Sequence, residues 1–102
     1  MCGIAGYVVK DGEARENLLS LSSQLKKRLK HRGPDSEGEF IDESNGVLLS
    51  HTRLSIIDLS DSSNQPFYSD DREIVLVYNG EIYNYLELRE ELRSSGCVFK
   101  TN

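Results

Sequence analysis

The sequence predicts a single α+β domain, or part of one. Three observations carry that prediction: an apolar, β-branched run from Gly3 to Val9, leucines at 18, 21, 25 and 29 at helical spacing, and two Asn-Gly pairs, Asn45-Gly46 and Asn79-Gly80, set between strand-like stretches. At 102 residues the chain has room for one modest core and not for two domains.

Gly3 to Val9 reads as a strand buried on both faces and ended by the turn Lys10-Asp11-Gly12, which puts Cys2 at a strand's start. Gly3 and Gly6 weaken strand propensity, which points either to close approach of a backbone or ligand or to ordinary sheet packing. Glu13 to Lys30 reads as an amphipathic helix with cations in its last turn, where they complement the helix dipole. The basic cluster Lys26, Lys27, Arg28, Lys30 and Arg32 is then its solvated face and C-terminal turn. His31-Arg32-Gly33-Pro34-Asp35 follows, with Gly33 available as a left-handed cap and Pro34 unable to continue the helix. The polar residues packed around them fit a loop beside a site.

Gly38 to Ile41 and Val47 to Arg53 read as a hairpin closed by Asp42 to Gly46. Arg53 to Asp58 alternates polar and apolar residues before a polar loop from Ser60 to Pro66. Ile74 to Tyr78 and Ile82-Tyr83 flank Asn79-Gly80-Glu81 as a strand, a tight turn and a short strand. Asn84 is placed to cap a second helix, with Glu87 in a capping-box relation, Tyr85, Leu88 and Leu92 on one face and Gly96 as terminator. Cys97 to Lys100 starts another strand.

Composition excludes several classes of function. The hydrophobic share of 37% and charged share of 28% are those of a soluble globular chain, and a formal net charge of -5 opposes binding to nucleic acid. Cys2 and Cys97 lack the spacing of a zinc site or a disulfide framework, so no metal is expected and a reducing compartment fits. No signal-peptide pattern opens the chain, and no apolar run approaches the roughly 18 residues needed to span a membrane. A cytoplasmic protein with no membrane partner is the expectation. No Gly-rich phosphate loop is present.

Three places carry distinctive chemistry. A cysteine next to the initiator methionine becomes the amino terminus once that methionine is removed, and then holds a thiol and an α-amine whose reference pKa is roughly 7.7 to 8.0, near working pH. If Met1 stays, its amide bond disables that base. Arg53 fits either a surface ion pair or bidentate capture of a carboxylate, for which the planar guanidinium is suited. Asn79-Gly80 fits either a hairpin turn or a pair of donors converging as an oxyanion hole.

Taken together, Met1-Cys2-Gly3-Ile4-Ala5-Gly6, His31-Arg32-Gly33-Pro34-Asp35, Arg53-Leu54-Ser55-Ile56-Ile57-Asp58-Leu59, Asn64-Gln65-Pro66 and Asn79-Gly80-Glu81-Ile82-Tyr83-Asn84 closely resemble the glutaminase domain of glutamine-hydrolysing asparagine synthetases. The five blocks keep the family's order along the whole chain. The arginine block and the Ile82-Tyr83-Asn84 ending separate this pattern from other class II amidotransferases. The resemblance implies an N-terminal nucleophile hydrolase fold, two stacked β-sheets between helical layers in a four-layer αββα arrangement, incomplete in this chain. It implies that Cys2 is the nucleophile towards glutamine, and that Asn79 and Gly80 stabilise the oxyanion. Arg53 would hold the substrate α-carboxylate and Glu81 the α-amino group, with backbone groups near Leu54 and Ile56 completing the pocket. Residues 1–102 would then be the amino-terminal part of the glutaminase domain. The remaining strands and a synthetase domain using ATP and Mg would lie in the full-length protein, as would an aspartate that binds the substrate amine just past Asn102. No cofactor is expected in the segment itself, and the assembly has room for a homodimer. Two other readings stand beside this one: a truncated, non-catalytic binding or association module, and a related enzyme with another ammonia acceptor or amide substrate.

Overall fold

A computed structural model describes residues 2–10, 17–55 and 61–99, the side chain of Ser62 excepted. Its elements are β1 (Gly3–Val8), α1 (Leu18–Leu29), β2 (Ser36–Asp42), β3 (Val47–Arg53), a 3-10 turn (Asp61–Ser63), β4 (Phe67–Tyr68), β5 (Val75–Leu76) and α2 (Tyr85–Ser94). The architecture is α+β, with two antiparallel sheets and two helices: a three-stranded sheet ordered β1-β3-β2 and a two-stranded sheet of β4 and β5.

Register decides what each face of the larger sheet carries. Gly3 pairs with Thr52 and Ile4 with His51, while on the other side of β3 Glu37 pairs with Thr52 and Gly38 with His51. Paired residues share a face and neighbours along a strand alternate. Leu48, Ser50 and Thr52 therefore point one way, and Leu49, His51 and Arg53 the other. Helix α1 covers the first face. Its apolar stripe places Leu18 against Val9 and Leu48, with Leu21, Leu25 and Ile41 packed around them. The Ser22 and Ser50 hydroxyls meet at 2.9 Å, and the Thr52 hydroxyl donates to the Leu29 carbonyl at 3.1 Å. The second face carries the segment after the 3-10 turn. A Cβ on Gly38 would run into the Gln65 carbonyl, so the glycine lets that loop lie directly on the sheet, and beyond it Tyr68 meets Phe40 edge-on at 6.2 Å.

Several expectations are corrected. β1 is not buried on both faces: Ile4 is 45% and Val8 68% exposed, because α1 covers only the opposite side. Lys26 does not belong to a solvated face, since its ammonium pairs with Glu39 of β2 at 2.6 Å. Gly33 is no left-handed cap. Among the described residues only Gly46 and Gly96 have a glycine φ in the positive range, at 65° and 95°. Gly33 is required for space, because a Cβ there would collide with the backbone of Thr52 and Arg53. Gly3 answers to packing as well, its Cβ position lying 2.6 Å from Thr52 Oγ1 and 3.0 Å from Leu29 Cβ.

The largest correction concerns Asn79-Gly80, which closes no hairpin. β5 pairs instead with β4, and Ile82-Tyr83 forms no strand. Asn84 stands at the start of α2 without a side-chain capping bond. The far end of α2 is as expected: the Gly96 N–H donates to the Arg93 carbonyl and the Cys97 N–H to the Leu92 carbonyl, a Schellman closure. Tyr85, Leu88 and Leu92 remain exposed, and residues 97–99 form no strand, Phe99 folding back under Arg89 instead. The expected helix start at Glu13, the turn at Asp11-Gly12, the stretch from Ile56 to Asp58 and Lys100 lie outside the described residues.

Gly33→Ala is expected to destabilise the fold by about 1–3 kcal/mol, the usual cost of forcing atoms into a filled site. A urea unfolding midpoint unchanged from wild type would contradict this packing account.

Candidate functional site

The polar end of β3 gathers three of the residues singled out in the sequence, Cys2, Arg53 and Leu54. Cys2 precedes the Gly3–Thr52 pair of β1 and β3, and Arg53, the next residue of β3, pairs with Ser36 on its other side. Cys2 is half-buried. The Leu54 N–H donates to its Sγ at 3.4 Å, and the thiol lies 3.7 Å from the Leu54 carbonyl as a donor. The sulfur is thus seated by the backbone of the residue that continues the central strand, a rigid platform. The Leu54 N–H is also the group that stays with the sulfur when its proton leaves.

The loop from His31 to Asp35 grips the same strand end. Arg32 Nε donates to the Cys2 carbonyl at 3.3 Å, Asp35 N–H to the Arg53 carbonyl at 2.9 Å, and Ser55 N–H to Asp35 Oδ2 at 2.7 Å. Gly33 rests on the Thr52–Arg53 backbone. The loop beside a site therefore has a defined structural role, which is to fix the chain on both sides of Cys2 and Arg53.

Arg53 is buried, 6% exposed, and its Nη1 donates to Asn64 Oδ1 at 2.6 Å. The same oxygen accepts from the Ser36 hydroxyl at 2.9 Å. Asn64 belonged to a recognised block but had no role in the sequence reading; the structure places it as the group that aims the guanidinium.

Asn79, Gly80 and Glu81 sit differently. They follow Tyr78, whose N–H donates to Gln65 Oε1 at 2.5 Å and whose carbonyl accepts from Gln65 Nε2 at 3.1 Å. Gln65 also lies on Gly38, so this double bond anchors the strand end over the same face that carries Arg53 and His51. The Tyr78 ring folds over Gly80, where a Cβ would meet its hydroxyl at 2.6 Å. Asn79 is half-buried, while Gly80 and Glu81 are exposed. The hydrogen bonds of Cys2 go to Leu54 and Arg32, and none joins it to Asn79 or Gly80. Ile56 lies outside the described residues.

His51 escaped the sequence reading altogether. It is 1% exposed on the Arg53 face, and neither ring nitrogen completes a hydrogen bond. Burial holds its pKa below the usual 6.5; the Tyr78 backbone beside it raises the pKa, and the Arg53 charge lowers it further.

The glutamine amidotransferase domain family matches residues 1–102. The chain belongs to this family. Among curated amidotransferase relatives it is 43% identical over its whole length to a protein named asparagine synthetase [glutamine-hydrolyzing] 1 from Bacillus subtilis. Over 99% of its length it is 46% identical to a probable asparagine synthetase [glutamine-hydrolyzing] from Schizosaccharomyces pombe. It is also 39% identical, over 90% of its length, to a Gibberella zeae protein named amidase chry2. The chain spans only 16%, 17% and 15% of the length of those three proteins. No solved structure gives a significant match. Among the described residues, no helix is long and apolar enough to cross a membrane.

The depressed His51 pKa sets a pH dependence of stability. The unfolded chain takes up a proton near pH 6.5 while the folded one resists, so stability is fully present above 6.5 and falls as pH drops from there through the lower folded value. The urea midpoint is expected to decline between about pH 7 and 5, and His51→Gln to flatten that decline. An equally steep decline in the variant would show that another group governs it.

Proposed function

We propose that this chain is the catalytic amino-terminal part of a glutamine-hydrolysing enzyme, built on an N-terminal nucleophile hydrolase fold whose further strands complete a four-layer αββα sandwich. The observation that carries the reading is the seating of the Cys2 sulfur on the Leu54 N–H, directly after Arg53 at the polar end of β3. A nucleophile and a carboxylate-binding fork on adjacent strands match the two ends of one small amino acid.

With Met1 removed, the Cys2 α-amine takes the thiol proton as Sγ attacks the side-chain amide carbon of glutamine. Asn79 Nδ2 and the Gly80 N–H donate to the oxyanion of the tetrahedral intermediate. As the C–N bond breaks, the amine passes its proton to the leaving nitrogen, and ammonia departs from a Cys2 thioester. Water then attacks the thioester, releasing glutamate and restoring the thiol. Arg53 binds the α-carboxylate, Glu81 the α-amino group, and the backbone at Leu54 and Ile56 lines the pocket. The absence of a hairpin at Asn79-Gly80 favours the donor role, because the competing turn explanation no longer applies.

The ammonia passes to a synthetase domain of the full-length protein, with aspartate as acceptor in asparagine synthesis. The relative named an amidase keeps a second reading open, in which the same glutaminase chemistry serves another acceptor. ATP and Mg belong to the synthetase domain.

In the full-length protein, Cys2→Ala is expected to abolish glutamate release from glutamine, as is retention of Met1. Asn79→Ala is expected to lower kcat by roughly 10²–10³-fold, the usual loss for one oxyanion donor. Arg53→Lys is expected to raise KM by about 10- to 100-fold through loss of a bidentate charged contact. Glutamate release by Cys2→Ala protein at the wild-type rate would refute the assignment.

A further inference from the structure

We propose that His51 is a positioning residue, one whose ring N–H holds the Tyr78–Asn79 peptide and thereby sets the oxyanion donors of Asn79 and Gly80. The proposal rests on the glutaminase reading above. Its starting point is an exception. Along the polar end of β3, Ser50 bonds to Ser22, Thr52 to the Leu29 carbonyl and Arg53 to Asn64, whereas both nitrogens of the fully buried His51 have no partner. A buried polar group without a bond carries a desolvation cost with nothing set against it. A bond formed in the working state would offset that cost.

The partner at hand is the Tyr78 carbonyl: Gln65, which bonds it, lies on Gly38, the strand partner of His51, and the Tyr78 backbone raises the His51 pKa. That oxygen accepts one bond from Gln65 Nε2 and has a second lone pair to offer. The Tyr78 carbonyl oxygen shares the rigid peptide plane with the nitrogen and Cα of Asn79. A bond from His51 therefore fixes the base from which the Asn79 side chain and the Gly80 N–H project. Gln65 Nε2 holds this plane by one bond to its oxygen, its Oε1 accepting from the Tyr78 N–H of the preceding peptide. Burial and the neighbouring Arg53 charge both keep the imidazole neutral, so it brings a donor without adding a second cation beside the carboxylate fork.

The test uses the full-length protein with Met1 removed, assayed for glutamate release. His51→Phe keeps the ring volume and loses the donor; His51→Asn and His51→Gln each return an N–H near one ring nitrogen. Positioning predicts that His51→Phe lowers kcat by about tenfold or more with KM within about twofold, since Arg53 is untouched, and that one of the two amide variants recovers most of the loss. An unchanged kcat in His51→Phe, a fall matched by an equal rise in KM, or failure of both amide variants to fold or to recover activity would overturn it. A wild-type protein that leaves glutamine intact would instead refute the glutaminase reading on which this role depends.

Discussion

Four successive polar side chains, Ser50, His51, Thr52 and Arg53, are buried at one end of the central strand, and that burial governs where everything else must lie. A satisfied hydrogen bond adds only about 1 kcal/mol net, whereas a buried group left unbonded costs about 1–3 kcal/mol. Partners are therefore strongly demanded, and three of the four residues have theirs within the fold. Ser50 requires Ser22, which sets the rotation of α1. Thr52 requires the Leu29 carbonyl, which sets where α1 ends. Arg53 requires Asn64, which brings the loop after the 3-10 turn onto the opposite face. The apolar half, with Leu48 packed between Val9 and Leu18, supplies burial without direction; the polar half supplies direction.

Two supports of unequal rigidity result. Cys2, Arg53 and Leu54 lie at the ends of adjacent strands of a three-stranded sheet backed by a helix, and the loop from Arg32 to Asp35 ties them from a third side. Asn79 and Gly80 extend from a ladder of only two residues a strand, a length that is marginal by itself. Their placement depends on Gln65, which lies on Gly38 because that residue has no side chain, and which bonds both polar groups of Tyr78. Cys2 and Arg53 are fixed by the fold, and Asn79 and Gly80 by a few side-chain bonds.

The elements built from local signals could be read in the sequence. The β-branched run gave β1, the leucine spacing gave α1, Asn45-Gly46 gave the β2–β3 hairpin, and Gly96 closed α2. What could not be read depends on contacts between distant residues. Asn79-Gly80 carries the same local signal as Asn45-Gly46, yet β5 pairs backwards with β4, a choice made by the loop lying on the sheet. Gly33 looked like a cap because the collision that demands a glycine comes from Thr52, nineteen positions away. Lys26 looked solvated because helix periodicity does not show that Glu39 stands across from it. At the candidate site, Cys2, Arg53, Asn79, Gly80 and Glu81 were singled out through a resemblance to a family, whereas Asn64, which bonds Arg53, and the buried His51 have no spacing of their own that marks them.

The choice of Asn64 to aim Arg53 has a chemical consequence. Its Oδ1 accepts from both Ser36 Oγ and Arg53 Nη1, and its Nδ2 donates to Asp61 Oδ1 at 3.3 Å. Each end of the amide is committed, so it has a single orientation and the guanidinium inherits it. An aspartate at this position would hold Arg53 more tightly, since charge-assisted pairs are about twice as strong as neutral ones. It would also set an anion against the guanidinium. A neutral amide fixes direction without adding a charge of its own. Hydrogen bonds from the neutral groups Ser36, Asp61-bound Asn64 and the strand backbone thus set where the fork points.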